Sequence, residues 1–435
     1  MRDSVYTPGA GHQPPVLAGR SELLRNWDLM LNDATARGRV RARDIILVGP
    51  RGVGKTAALS AIATRSARQG IEVVGLQAVV GQAGLVESLL DRARALAEAG
   101  EGPWRRARHA LERIAAVNMS VAGFGAGIST RETGATPRLD AGTLAAALAT
   151  VAEEVRKDAP TGGLLITVDE MQVAAPADLA IIAAALHRLN VDHPSAVVVF
   201  AGTGLPMTPD RLRQAGVTHP DRLFQLEDIP LALSPEDTRY AIAEPAREHG
   251  VTWDPGALDQ LARLTNGYPA HVQLFADAAW SAATGPDRIT LHDVDASLPD
   301  VTAMLTRRTL GPRWDRITDR QMEFAAAVAL LGGDVPIATV ATALGKKQGE
   351  ISWIRDDLIK EGDLYSPRRG YIALTVPLFA DFILARYSQD QQGRATALLT
   401  LEQMSANVDA KPSPGTPVTP PPSPRALPAT EEPQP

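Results

Sequence analysis

The chain has 435 residues, 45% of them hydrophobic and 22% charged, with a formal net charge of -6. That length accommodates roughly two or three domains with their own cores, and the negative balance argues against a protein dominated by attraction to nucleic acid or membrane surfaces, while leaving room for a local basic face. There is no cysteine, which excludes disulfides, thiolate zinc sites and cysteine nucleophiles.

In chain order, residues 1–15 are rich in Pro and Gly and read as a flexible N-terminal arm. The start lacks the apolar core of a signal peptide. The longest apolar runs, such as 179–186 and 324–331, are too short to span a bilayer, so the expectation is a cytoplasmic protein with no membrane partner. The run Ile45-Ile46-Leu47-Val48 predicts a buried strand. It enters Gly49-Pro50-Arg51-Gly52-Val53-Gly54-Lys55-Thr56, which fits G-x-x-x-x-G-K-[ST] at every fixed position. A helix-like segment, 56–69, follows and stops at Gly70. A strand, a Gly-rich turn and a helix start are the context of a phosphate-binding loop. The glycines let backbone N–H groups curl around phosphate oxygens, and the helix N-terminus adds partial positive charge. In this reading Lys55 reaches the β- and γ-phosphates and the Thr56 hydroxyl ligates Mg²⁺. Lysine occurs at only six positions, Lys55 among them, and arginine supplies most other positive charge.

Beyond the loop, 71–76 predicts a second strand and 85–99 a helix. Another helix is expected around 104–116, a short Gly-broken hairpin at 121–128 and a further helix at 144–156. Two buried strands, 164–168 and 196–201, flank a helix over 176–189. Apolar strands alternating with helices argue for a parallel sheet covered on both faces. The first of these two strands runs into Asp169-Glu170, which places carboxylates at the C-terminal edge of the sheet, where ligands sit in open α/β folds. Asp169 is the candidate Mg²⁺ holder and Glu170 the candidate base for an attacking water. The second ends at Gly202-Thr203-Gly204, and Thr203 is a candidate sensor of the γ-phosphate or the water.

From Ser234 the pattern turns helical. Ser234-Pro235 and Asp254-Pro255 open helices, the second of which ends near Asn266-Gly267, and 269–283 gives a third. A last unit over about 317–387 holds three helix-like segments and then two short strands around a Pro/Gly turn, 365–372. Within it, 336–344 and 347–359 have the lengths of a helix-turn-helix pair. Lys346, Lys347 and Arg355 on the second helix, with Arg368 and Arg369 on the turn, suit phosphate contacts with duplex DNA. Glu350, Asp356, Asp357, Glu361 and Asp363 share the stretch, so a protein-binding module is the competing reading. From Lys411 onward the chain is Pro-rich and expected to be disordered or partly polyproline II. The histidines are scattered without ligand spacing, and Trp104, Trp253, Trp280, Trp314 and Trp353 read as core or linker anchors.

The P-loop, Asp169-Glu170 and the polar-tipped strand together resemble the AAA+ and STAND branch of P-loop ATPases. With a helical lid and a terminal winged helix, the chain is most similar to origin-recognition-complex-like ATPases of bacteria and archaea, over about residues 16–388. The resemblance implies an α/β fold: a five-stranded parallel P-loop NTPase sheet covered by helices (16–232), a helical lid and linker (233–312), and a winged-helix domain (313–390). A helical end and disordered tail (391–435) follow. It implies ATP and Mg²⁺ as cofactors and hydrolysis to ADP and phosphate that repositions the winged helix. Val16-Leu17-Ala18-Gly19-Arg20 matches the segment that packs against adenine in such proteins, and Asn266-Gly267-Tyr268-Pro269 matches a Gly-x-Pro lid motif. Arg20 and Pro269 therefore join residues 49–56 as expected nucleotide contacts. Two departures stand out. Pro269-Ala270 occupies the place where relatives of the replication-initiator type carry a phosphate-sensing arginine. An arginine finger acting in trans has Arg222 as its best positional candidate, with Arg211 and Arg213 behind it.

Overall fold

A computed structural model describes residues 3–9, 11–37, 44–80, 84–99, 140–375, 379–390 and 398–410. The helix expected at 104–116 (with Trp104), the hairpin at 121–128 and the Pro-rich tail lie outside the described residues. The N-terminal half runs α1 (Ser21–Arg37), β1 (Asp44–Val48), α2 (Lys55–Arg68), β2 (Ile71–Gln77), α3 (Leu85–Ala99), α4 (Ala141–Asp158) and β3 (Gly163–Asp169). It continues through a 3₁₀ turn at Met171–Val173 to α5 (Pro176–Asp192), β4 (Val198–Gly204), α6 (Thr208–Gln214), α7 (Pro220–Leu223) and β5 (Phe224–Asp228).

All five strands are parallel, in the order β2-β3-β4-β1-β5. Every residue of β1 and β4 is buried, whereas the edge strands β2 and β5 are only partly buried. The strand period of two sends neighbouring residues to opposite faces. Ile45, Leu47, Leu165, Val199 and Ala201 join the core beneath α1 and α2, and Ile46, Val48, Ile166, Val168 and Phe200 join the core under α3, α4 and α5. Because both faces are covered, the central strands need unbroken apolar runs, which is why they were visible in the sequence. Strand β5, Phe-Gln-Leu-Glu-Asp with only Phe224 buried, lacks such a run and had no individual signature.

The lid follows as α8 (Pro235–Glu248), β6 (Thr252–Trp253), α9 (Pro255–Thr265), α10 (Pro269–Ala282), β7 (Arg288–Ile289) and α11 (Leu291–Leu305). The Ser234 side chain accepts from Asp237 N at 3.0 Å and caps α8 as its sequence predicts. Proline occupies the first turn of α8, α9 and α10, where its missing N–H costs nothing. A π-helical turn (Thr306–Leu310) and α12 (Gly311–Trp314) link the lid to the C-terminal unit. That unit comprises α13 (Asp319–Leu331), β8 (Val335–Pro336), α14 (Ile337–Ala343), α15 (Gln348–Glu361), β9 (Leu364–Tyr365), β10 (Tyr371–Leu374), α16 (Phe379–Asp390) and α17 (Leu401–Asp409). Its strands form an antiparallel sheet in the order β8-β10-β9.

Two expectations are corrected here. The N-terminal segment is not a free arm where it is described: Tyr6 is 3% exposed and sits edge-on to Trp253 and Trp280 of the lid. Its hydroxyl donates to Ile242 O at 2.5 Å and accepts from Trp253 Nε1 at 3.0 Å. An aromatic ring with a satisfied hydroxyl outweighs the ordering cost of the Pro/Gly-rich residues around it. Second, Trp353 is 53% exposed rather than a core anchor, whereas Trp253, Trp280 and Trp314 are buried. Among the described residues no helix is long and apolar enough to cross a membrane.

Candidate functional site

The loop 49–54 leaves the C-terminal end of β1 between its two neighbouring strands. Gly49 N donates to Gly204 O at the end of β4 at 3.2 Å, and Ile229 N beyond β5 donates to Val48 O at 2.7 Å. Gly52 and Gly54 adopt φ of 78° and 86°, a region L-residues with side chains rarely enter. Space matters as well at Gly52, where an added Cβ would lie 2.1 Å from the Tyr268 hydroxyl, whereas Gly54 has open space and is required for its φ alone. Helix α2 begins at Lys55, so its unpaired first N–H groups and positive dipole end face the loop.

Lys55, 5% exposed, donates from Nζ to Pro50 O at 2.6 Å. Burial lowers its ammonium to about 8, against the opposing pull of Glu170 and Asp169. Around it opens a cavity of ≈ 1090 Å³ lined by Arg51–Thr56, Asp169, Glu170, Arg20 and Pro269, large enough for a nucleotide-sized ligand.

The sheet order brings the other candidates to this loop. The Thr56 hydroxyl donates to Asp169 Oδ2 at 2.9 Å. The other carboxylate oxygen, Oδ1, accepts from the Thr203 hydroxyl and from Glu170 N, the latter at 3.1 Å. Thr203 Oγ1 itself accepts from Glu170 N at 3.2 Å. Strand β4 lies between β1 and β3, so its tip bridges the P-loop and the carboxylate pair. Thr203 is fully buried and its proton is engaged by Asp169, so it supports Asp169 from behind instead of facing the cavity. Glu170 sits in the left-handed region at φ 58°, one of two non-glycine residues with positive φ among those described. Such a conformation is sterically costly for a glutamate and recurs at functional sites.

Gln172 was not foreseen. It is 5% exposed, donates from Nε2 to Glu170 Oε2 and accepts from Leu205 N at 3.1 Å through Oε1. A glutamine two residues past an acidic strand tip was the available signal. Its backbone carbonyl accepts from Arg211 Nε at 3.2 Å, and Arg213 pairs with Asp210 at 2.5 Å, so both of these arginines have local partners. Arg222 is exposed on α7.

Arg20 is 5% exposed and grips the loop from beneath, donating to Val53 O at 3.0 Å and Gly19 O at 2.9 Å. The lid closes the loop from above. Tyr268 Oη donates to Arg51 O at 2.6 Å and Ala270 N to Gly52 O at 3.1 Å. Burial pushes the Tyr268 phenol up to about 12 and lowers the adjacent His271 to about 4, helped in the latter by Arg313.

The basic residues of the C-terminal unit are not brought to this site, and most are engaged internally. Lys346, expected to contact DNA, places its Nζ 3.1 Å from Glu323 Oε2, whose side chain is 2% exposed. Burial alone would raise the Glu323 carboxyl, but Leu399 N–H, Lys346 and Arg320 hold it below the usual range. Arg355 pairs with Asp356 at 2.7 Å, and Arg368 stacks 3.7 Å over Tyr371 and lies 3.9 Å from Asp334. Lys347 and Arg369 remain exposed.

Comparison with known proteins agrees with this geometry. Residues 16–199 match the model of the AAA ATPase domain family, in keeping with the resemblance drawn from its motifs. Residues 307–383 match a domain of unknown function (DUF8462). No curated protein matches the chain in sequence. Among solved structures the chain is similar to the Walker-type ATPase of Pyrococcus abyssi, at 13% identity and a TM-score of 0.54, covering 87% of this chain and 99% of that one. That likeness shows a shared fold. Two proteins of Aeropyrum pernix are also similar. ORC2, solved as ADPNP-ADP complexes, has 13% identity and a TM-score of 0.49 over 92% of this chain and 97% of that one. ORC1, solved in complex with DNA, has 17% identity and a TM-score of 0.41 over 88% and 95%.

Proposed function

We propose that the protein binds ATP with Mg²⁺ and hydrolyses it to ADP and phosphate, and that turnover repositions its C-terminal unit. The observation that carries this reading is the convergence of Thr56, Asp169, Glu170 and Thr203 on the loop that opens α2. Backbone N–H groups of residues 52–55 and the Lys55 ammonium bind the phosphates. The Thr56 hydroxyl and Asp169 carboxylate, already in contact, form an oxygen-donor pair of the kind Mg²⁺ takes. An Mg²⁺ held by these two protein oxygens would take its remaining ligands from phosphate oxygens and water. When bound, Mg²⁺ supplies charge neutralisation at the β- and γ-oxygens. Glu170, held by Gln172, takes the proton of the attacking water, and Thr203 positions Asp169.

We read α13–α15 with β8, β9 and β10 as a winged helix. Its exposed helix face carries Glu350, Trp353, Asp356 and Asp357, while Lys346 and Arg355 are engaged within the unit. Acidic side chains on the face that would enter a groove oppose phosphate contact, so a nucleotide-gated switch acting on a protein partner is favoured. The DNA-associated reading rests on Lys347 and Arg369. Phosphate release by the parent, Lys55→Ala and Glu170→Gln proteins, with and without duplex DNA, tests both. Equal rates in the parent and Glu170→Gln would remove Glu170 as the base. Stimulation of the parent by DNA that falls away with salt would restore the DNA reading.

A further inference from the structure

Where the C-terminal unit meets the phosphate loop lies a charged cluster that the hydrolytic roles leave unused. Arg313, from α12, lines the same cavity as Lys55 and Thr56. Its Nη1 is 3.8 Å from Asp363 Oδ1, with side chains 17% and 5% exposed. That distance is too long for a hydrogen bond. Arg313 Nη1 and both Asp363 carboxylate oxygens are buried without any hydrogen-bond partner. The neighbouring residue Gly362 packs on the loop itself: a Cβ there would lie 3.7 Å from Arg51 Nε. Burial raises the Asp363 carboxyl despite the nearby Arg313 and Arg316. A buried ion pair without hydrogen bonds recovers little of its desolvation cost, so each partner stands to gain from a better one.

We propose that Arg313 is a ligand of the terminal phosphate of a nucleoside triphosphate and that Asp363 is its alternative partner, so that nucleotide and C-terminal unit compete for one guanidinium. The inference rests on the nucleotide-binding reading of residues 49–56. A guanidinium offers two parallel donors to phosphate oxygens, a geometry its present contact with Asp363 does not use. The lid helix α10 begins Pro269-Ala270 and offers no cation at its start, so the charge comes from the linker. Transfer of Arg313 from Asp363 to phosphate loosens the hold of Gly362-Asp363 on the loop. By reciprocity, that contact weakens triphosphate binding in turn.

The test is equilibrium binding of a non-hydrolysable ATP analogue and of ADP to the full chain, in the parent, Arg313→Ala, Asp363→Asn and the double variant Arg313→Met/Asp363→Asn. The double variant removes both buried charges and so avoids stranding one, and the isosteric Asp363→Asn is informative alone. Loss of a charge-assisted contact predicts about 10-fold or greater weakening of the analogue in Arg313→Ala and in the double variant, with ADP affinity changed by less than about 3-fold. Asp363→Asn is expected to tighten the analogue selectively. Hydrogen exchange over 358–375 should rise with the analogue but not with ADP, and only where Arg313 is present. Parallel loss of both nucleotides in Arg313→Ala, or an unchanged analogue-to-ADP ratio in Asp363→Asn, overturns the proposal while leaving nucleotide binding intact. A parent that binds neither nucleotide removes both readings together, and Lys55→Ala identifies that case by matching the parent.

Discussion

The C-terminal edge of the sheet and the surface of the C-terminal unit use the same kinds of side chain to opposite ends. At the sheet edge, Asp169 and Glu170 are held by neutral partners, Thr56, Thr203 and Gln172, and their charge remains directed at the cavity beside Lys55. In the C-terminal unit, Lys346, Arg355 and Arg368 lie against carboxylates of their own unit, and Arg368 also against Tyr371. A charge oriented by neutral groups remains available to a ligand, whereas one neutralised locally contributes to folding. Counting basic residues in the stretch therefore overstates how many of them lack an acidic neighbour.

The comparison can be broken most decisively at the sheet edge. Glu170→Gln should lower phosphate release by about 10²- to 10⁴-fold, the usual weight of a general base, while nucleotide binding persists. Lys55→Ala should abolish binding itself, as fluorescence titration would register. Next in size is Lys346→Ala. Removing Lys346 from the buried Glu323, which keeps Arg320 and Leu399 N–H, is expected to cost about 3 kcal/mol of stability or less by denaturant unfolding. A variant as stable as the parent but deficient in DNA binding would return Lys346 to the interface.

A third measurement concerns Asp44, buried in β1, where burial raises its carboxyl to about 7 although Phe200 N–H lowers it. Its folded value exceeds the unfolded one, so its contribution is full below the unfolded value and is lost as pH rises through 7. Asp44→Asn keeps an acceptor for Phe200 N–H and should abolish about 2–3 kcal/mol of stability loss between pH 5 and 8. The smallest effect belongs to Trp353→Ala. At an exposed position it should shift stability by less than about 0.5 kcal/mol, and any larger effect on partner capture would assign the α15 face to protein binding.

Much of the site was legible because its signals are local. Residues 49–56 carry their own strand, turn and helix start, and the apolar runs before Asp169 and Thr203 reflect burial on both faces of a parallel sheet. The starts of α8 and α9 were likewise readable from Ser234-Pro235 and Asp254-Pro255. What could not be read were contacts between segments distant in sequence. Tyr6 docks between Trp253 and Trp280, Tyr268 closes on Arg51, and Gln172 steadies Glu170 only because Leu205 N holds its other end. The sequence by itself determined the phosphate loop, the strands that feed it and the helical run beyond, since propensity, period and turn chemistry act over a few residues. Tertiary structure alone decided which charges face the cavity, as with Arg313, and which are neutralised, as with Lys346 on Glu323. The physical reason is that an ionic group's availability depends on its nearest neighbours in space, and packing chooses those neighbours from anywhere in the chain.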